Sequence, residues 1–469
     1  MLTYDVDIWS IRKRAGRPKP FELRWRVGRR PHSRSFKLKT QADGRRSELM
    51  TALREREQFD EETGLPAREL AALNSPTWYE HATAYALMKW PRAAAKHRAS
   101  IAESLAVVIP ALVTTNRGAP KAKTLRAALY QWAFRAVPGP DGDLVARHIA
   151  NEPPEEIRAA LSWLSEHSEQ VSALENPELL RPALDALSRR LDGRKAAENT
   201  LRRKLMVLSN FLKYTVEEKG LLSTNPLQRV DWTAPDRDDE IDFRYVPGPA
   251  QARALIDAVR GAGPRGEHMA AFFGCLYYAA MRPGEIASLK RSDCTLPPDS
   301  EETAGQWGEL LLGESRPEVA GGWTDDGTSY ESRGLKRRAR GATRAVPIPP
   351  ALVKMLRDHI AAYGTAPDGR LFRAAREGRV RSTEYCELWS DARVKALSEH
   401  EVASRLADVP YSLRHAGVSL WIKSGVDPAE VAARAGHSIA VLYRFYAKIL
   451  KGDQGRSNQL IARGLADDE

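Results

Sequence analysis

At 469 residues the chain is too long for one ordinary domain, and about two to four are expected. An apolar fraction of 42% excludes wholesale disorder, and three isolated cysteines without CxxC spacing argue against a disulfide framework or a zinc site. The 72 Lys and Arg against 61 Asp and Glu leave a formal charge of +11, which favours a polyanionic partner but equally fits a basic soluble surface.

The N-terminal MLTYDVDIW has no basic-then-apolar leader pattern, and the longest apolar run, 270–281, is too short to span a bilayer. A cytoplasmic protein with no membrane contact is therefore expected.

In residues 1–65, Tyr4, Val6 and Ile8 alternate with acidic residues, and Phe21, Leu23, Trp25 and Val27 alternate with Glu22, Arg24 and Arg26. Phe36 and Leu38 alternate in turn with Lys37 and Lys39. This period of two predicts a three-stranded antiparallel sheet, followed by a helix over 41–59 with Leu49 and Leu53 one turn apart. The outward arginines and lysines suit a sheet laid in a DNA groove, and suit an ordinary solvated face equally well.

The region 75–230 reads as helical. Trp78, Ala82 and Tyr85 have helical spacing, and a further helix over 95–109 carries Lys96, His97 and Arg98. Another helical group spans 125–136. The stretch 138–190 opens on PGPDGD and has weak acidic helices, so it is expected to be an insertion. Residues 195–216 place Leu201, Leu205, Leu208 and Leu212 on one face, with Arg202, Arg203, Lys204 and Lys213 elsewhere. That basic face is a candidate backbone clamp or a solvated surface.

An Asp- and Pro-rich linker over 231–249 separates a third unit, 250–455, which is mostly helical with one small sheet; residues 456–469 form a tail. Strands are expected at 309–312 and 344–348, and helices at 250–259, 268–280, 351–363 and 384–397. Three short helices close the unit. Ser412 can cap the first, Asp427 followed by Pro428 the second, and Ser438 the third; Gly436 ends the second.

These last helices and the segments before them carry Arg282, Lys336, Arg414, His437, Tyr443 and Tyr446. Taken singly, each is an unremarkable structural or solvated residue. Together their chemistry suits a phosphodiester: arginine forks bind phosphate bidentately, and a tyrosine nucleophile needs cationic neighbours or a base at neutral pH.

Their order resembles the catalytic domain of the tyrosine recombinases, the phage and integrative-element integrases, over about 200 residues. The first arginine box reads Ala280-Met281-Arg282-Pro283-Gly284-Glu285. The second, normally His-x-x-Arg, reads Tyr411-Ser412-Leu413-Arg414-His415, and the Gly-His box is Gly436-His437-Ser438. The phrasing of the basic loop and the second box is most like integrases of actinobacterial elements. The resemblance implies an arm-type DNA-binding domain at 1–65, a helical core-binding domain at 75–230 and an α+β catalytic domain at 250–455. It puts the nucleophile nine positions after His437, at Tyr446, with Tyr443 as packing. Lys336, in the loop before the strand RAVPI, would be the general acid, with Arg337, Arg338 and Arg340 as neighbours that could be confused with it.

The reaction implied is two transesterifications through a 3′-phosphotyrosyl link. Arg282 and Arg414 would clamp the phosphate, His437 would hydrogen-bond it or the nucleophile, and Glu285 would support Arg282. Neither cofactor nor metal is called for. Implied partners are double-stranded DNA with core and arm-type sites, a homotetramer on synapsed DNA, a directionality factor and a host DNA-bending protein, with a nucleoid-associated location. Arg24, Arg26, Lys37, Lys39, Lys96, Arg98, Arg202 and Arg203 are candidate DNA contacts. The departure is Tyr411, where the pattern has histidine. A phenol is a poor base at neutral pH, so His415 or His437 could compensate, or Tyr411 could serve only as a phosphate donor. Two other readings stand beside this one. Val431 to Tyr446 imitates a helix-turn-helix regulator, and the Tyr411 departure allows a catalytically silent homologue.

Overall fold

The structure, a computed structural model, describes residues 1–190, 193–232, 241–303, 305–336, 339, 341–374, 377–450, 458–459, 461–462 and 465–466, with backbone alone at 447–450. The chain forms two compact units, Met1–Asp236 and Arg237–Glu469.

In the first unit, β3 (Phe21–Val27) is the centre of a sheet. It pairs antiparallel with β1 (Val6–Ile8), β2 (Arg12–Lys13) and β4 (Arg30–Phe36), with Trp25 opposite both Ile8 and His32. Leu23, Trp25 and Val27 point inward onto Leu49 and Ala52 of α1 (Lys39–Arg54), as the alternation predicts. Three details differ from the expectation. The sheet has four strands and not three, because Val6–Ile8 and Arg12–Lys13 pair separately with β3. The last strand ends at Phe36, leaving Leu38 57% exposed at the helix start. Helix α1 also stops at Arg54, so that Phe59–Asp60 can pair with Leu2–Thr3.

Among the helices that follow are α2 (Trp78–Lys89), α3 (Ala95–Val108), α4 (Ala122–Ala128), α5 (Glu155–His167), α6 (Arg181–Ser188) and α7 (Glu198–Lys213). Thr77 caps α2 with a reciprocal Glu80. Residues 138–190, expected as an insertion, are instead woven into this core. Tyr79 N donates to Ser168 Oγ (3.1 Å) and Trp78 N to the Glu169 carbonyl (2.9 Å), while Ile157, Ala160, Leu161 and Leu164 of α5 are buried.

In the second unit, α8 (Pro249–Arg260) and α9 (Gly263–Tyr278) pack together and a three-stranded sheet lies beside them. The sheet joins β5 (Cys294–Thr295), β6 (Gly308–Leu312) and β9 (Arg344–Ile348), with Leu310 opposite Val346. Between β6 and β9 a second ribbon pairs β7 (Glu314–Ser315) with β8 (Arg333–Gly334). Then come α10 (Pro350–Tyr363), α11 (Ser382–Ala396), α12 (Ser412–Lys423), α13 (Pro428–Ala435) and α14 (Ile439–Leu450). Asp427 caps α13 as expected, its Oδ1 accepting from Ala429 N at 2.7 Å. Ser438 Oγ accepts from Val441 N (3.3 Å) at the start of α14. Ser412, by contrast, is the first residue of α12 and caps nothing; Tyr411 holds that position. Among the described residues no helix is long and apolar enough to cross a membrane.

Helices α9 and α12 touch at Gly417, where an added Cβ would collide with the Tyr277 carbonyl. Gly417→Ala should therefore cost about 1–3 kcal/mol by overpacking. A loss of urea midpoint is the expected result, and an unchanged midpoint would show that the crossing relaxes freely.

Candidate active site

Helix α9 ends at Tyr278, and Ala280 then adopts a left-handed φ of 44°, uncommon for a residue with a Cβ. That turn delivers Arg282 to the N-cap of a one-turn helix, Pro283–Ile286, with proline at its first position. Glu285, three residues on, reaches back to accept from Arg282 N (2.9 Å), as in a capping box. The same carboxylate accepts from Arg282 Nη1 (2.9 Å) and Arg344 Nη2 (2.8 Å). Its side chain is 1% exposed. Burial, the largest effect, would raise the Glu285 carboxyl, but Arg344 first, then Arg414 and Arg282, hold it down at about 2.

Helix α13 supplies the opposite wall. Gly436 closes it in the left-handed region (φ 62°), and the last carbonyls of a helix have no partner within it. Guanidiniums fill that need here. Arg282 Nη2 donates to the Gly436 carbonyl (3.0 Å) and Arg414 Nη2 to that of Ala435 (2.6 Å), while Arg414 Nη1 donates to the Ala280 carbonyl. A Cβ at Gly436 would collide with the Arg344 guanidinium, so this position requires glycine for space as well as for φ.

His437 follows directly. Arg414 Nη2 donates to its Nε2 (2.9 Å), so the ring proton lies on Nδ1, which is buried and has no partner among the described residues. Burial first, then Arg414 and Arg282, depress its pKa to about 3. From α12, His415 Nδ1 meets Tyr446 Oη at 2.9 Å. Burial and then Arg414 lower His415 to about 4, so its ring is neutral at pH 7. Tyr446 is 1% exposed, and burial drives its phenol well above the ordinary value despite the opposing pull of Arg414 and Arg282.

A cavity of about 700 Å³ opens onto these groups, lined by Arg282, Lys336, Tyr411, His415, His437 and Tyr446 among others. The structure thus brings most of the expected residues together. Arg414 is the exception. It is 1% exposed and stands behind His437, holding backbone carbonyls and not facing the cavity. Tyr443, expected to pack, is 50% exposed, and Tyr446 is the buried aromatic. Arg337, Arg338 and Arg340 lie outside the described residues, as does most of the tail 456–469.

Arg344 is a further site residue, read in the sequence only as a strand start. Its period-two partners Val346 and Ile348 face the core, and Arg344 shares their face. A charge on an inward face was the available signal. Three guanidiniums around one carboxylate leave an excess of positive charge beside the cavity, an arrangement that favours an anion such as phosphate.

Outside this site, Arg24, Lys37, Lys39, Lys96 and Arg203 are exposed, and Arg202 is half-buried. Arg26 is engaged with Asp5 (3.2 Å) and Asp7 (2.5 Å). Arg98 is not a surface cation: it is buried, donates to the Trp90 carbonyl (2.9 Å) and stacks on that ring. Lys204 is likewise buried.

Solved structures similar to this chain are integrases and site-specific recombinases. The Tn1549 transposon integrase in complex with a circular intermediate DNA aligns at 16% identity over 68% of this chain and 96% of its own, with TM-score 0.47. XerH recombinase in a post-cleavage complex with a palindromic difH substrate aligns at 10% over 78% and 96%, TM-score 0.43. A lambda integrase dimer bound to a COC′ core site aligns at 13% over 56% and 78%, TM-score 0.37. No family model and no curated protein matches the chain. At such distances the chemistry has to come from the side chains themselves.

Two outcomes are expected. Glu285→Gln should cost about 3–5 kcal/mol, because it leaves buried guanidiniums without their counter-charge; chemical denaturation measures this. His415 and His437 have folded pKa values below the ordinary 6.5, so the unfolded chain takes up protons first. Their contribution is complete above about pH 6.5 and is lost as pH falls towards 4. The urea midpoint should therefore decline across that window, and less steeply in His437→Asn.

Proposed function

We propose that this chain is a site-specific DNA recombinase that breaks and rejoins DNA through a 3′-phosphotyrosyl intermediate, serving integration and excision of a mobile element. The observation that carries this reading is the Tyr446 hydroxyl held at 2.9 Å by His415 in a cavity backed by buried arginines. A phenol with no base and no cations would be a simple packing residue.

The cavity phosphate would meet Arg282 directly, with Arg344 and Arg414 adding charge from behind. His437 Nδ1–H, which lacks an acceptor among the described residues, would donate to a nonbridging oxygen. Tyr446 Oη attacks phosphorus and its proton passes to His415 Nδ1. The bond from phosphorus to the 5′ oxygen breaks, and Lys336 Nζ gives that oxygen a proton. One phosphodiester is exchanged for another, so rejoining needs no external energy source.

This assignment answers the Tyr411 departure. His415 lies one helical turn after Tyr411, touches its ring edge-on (5.1 Å) and holds the nucleophile. We assign the base to His415, with Tyr411 as a wall of the cavity. Within the helix-turn-helix resemblance of 431–446, Tyr446 points inward, while Tyr443 and Ile439 stay on the exposed face. Double-stranded DNA is the proposed partner, in a tetramer on paired sites with the accessory proteins named above.

The test uses nicked duplexes that trap covalent adducts. Wild type should form a protein–DNA adduct, and Tyr446→Phe none. His415→Ala should slow adduct formation about 10²–10⁴-fold, while Tyr411→His should retain cleavage. The free-enzyme pH profile should hold down to about pH 5 before falling, because His415 titrates near 4. Tight DNA binding with no adduct would return the protein to the regulator reading.

A further inference from the structure

Lys336 sits two residues beyond β8, and the ribbon that delivers it is unusually well anchored. At its root, Arg316 N donates to the Gly284 carbonyl (2.7 Å) and Ser288 Oγ to that of Glu314 (2.9 Å). Gly284 and Ser288 belong to the segment that carries Arg282 and Glu285. Beyond the β7–β8 pairing the two arms stay joined: Val319 N donates to the Ser329 carbonyl (2.9 Å), and Arg316 lies over the Tyr330 ring.

The second anchor is ionic. Glu318 Oε2 accepts from Ser382 N (2.8 Å), the first residue of α11, whose own N-cap side chain makes no capping bond. The ribbon thus caps a helix of the domain body with a carboxylate, the favourable charge for that end. Arg379, 6% exposed, donates from Nη1 to Glu318 (3.3 Å) and from Nε to the Arg316 carbonyl (2.7 Å). Arg316 in turn reaches Asp368 (3.0 Å), which Arg370 also grips. Leu335 is buried in the domain core immediately before Lys336 reaches the cavity.

We propose that residues 314–335 form a fixed mount for Lys336 and that Glu318, together with Arg379, is a positioning residue for proton delivery to the leaving 5′ oxygen. This rests on the recombinase reading above. Releasing the mount should leave the nucleophile and the phosphate cradle in place while misplacing one proton donor. A slip of that kind slows a reaction by about 10–100-fold.

The probe is a pool of nicked duplexes with randomised flanks around one central phosphate, made with either oxygen or sulfur as the bridging 5′ atom. A thiolate leaves without a proton, so the sulfur pool bypasses the donor. On oxygen, Glu318→Ala should form adduct about 10–100-fold more slowly than wild type, with Glu318→Gln in between because it keeps the Ser382 bond. On sulfur, Glu318→Ala should come within about twofold of wild type, as Lys336→Ala should. Arg379→Ala, if folded by circular dichroism, should follow Glu318→Ala. Wild-type speed for Glu318→Ala on oxygen, or an equal deficit on both pools, overturns the mount. If wild type forms no adduct on either pool, or Lys336→Ala is not rescued by sulfur, the recombinase reading or its acid assignment fails, and the mount fails with it.

Discussion

The site depends on one carboxylate. Glu285 is buried among Arg282, Arg344 and Arg414, and among the described residues it is the one carboxylate paired with Arg282 and Arg344. Three guanidiniums brought out of water this close repel one another, and each forfeits its hydration. Glu285 offsets part of that, and the Ala280, Ala435 and Gly436 carbonyls take up further N–H groups. Because those carbonyls come from the end of α9 and the end of α13, the arginines also fix the two helices around the cavity. The residual positive charge is therefore built into the packing and is not a property of mobile surface side chains.

Burial first, and that charge second, act on the histidines of the cavity. Two histidines beside it stay neutral, one accepting from Arg414 and one facing the Tyr446 hydroxyl. The phenol itself experiences opposed effects, with burial raising it and the arginines lowering it, and burial prevails. At rest Tyr446 is protonated and hydrogen-bonded to a neutral imidazole. Under the proposed recombinase reading, deprotonation would belong to the moment of attack, when a phosphate has already satisfied part of the positive field.

Much of this was legible in the sequence because local rules act locally. The alternation of Leu23, Trp25 and Val27 reports a half-buried strand, and Asp427 and Gly436 bracket α13 through bonds spanning a few residues. What escaped depends on partners far along the chain. Leu38 keeps the alternation, but the chain turns into α1 there. The weak helices of 138–190 acquire a buried face only when Trp78 and Tyr79 bond to Glu169 and Ser168. Arg98 and Lys204 look like surface cations until the neighbouring elements cover them. Tyr443 and Tyr446 are equivalent by composition, and only the docking of α14 decides which one turns inward.

Under the proposed reading, His415 takes the part that the motif gives to a histidine at position 411. Positions 411 and 415 are four apart on one helical stretch, so they share a face. His415, one turn after Tyr411, meets the Tyr446 hydroxyl at 2.9 Å. The Tyr411 and His415 rings meet edge to face at 5.1 Å, beside the His415 Nδ1 contact with Tyr446. What such a site must preserve is a neutral acceptor beside a buried phenol within a cationic field. Under the proposed reading, the position that supplies it has shifted by a turn, with Arg414, from the same helix, holding the field in place.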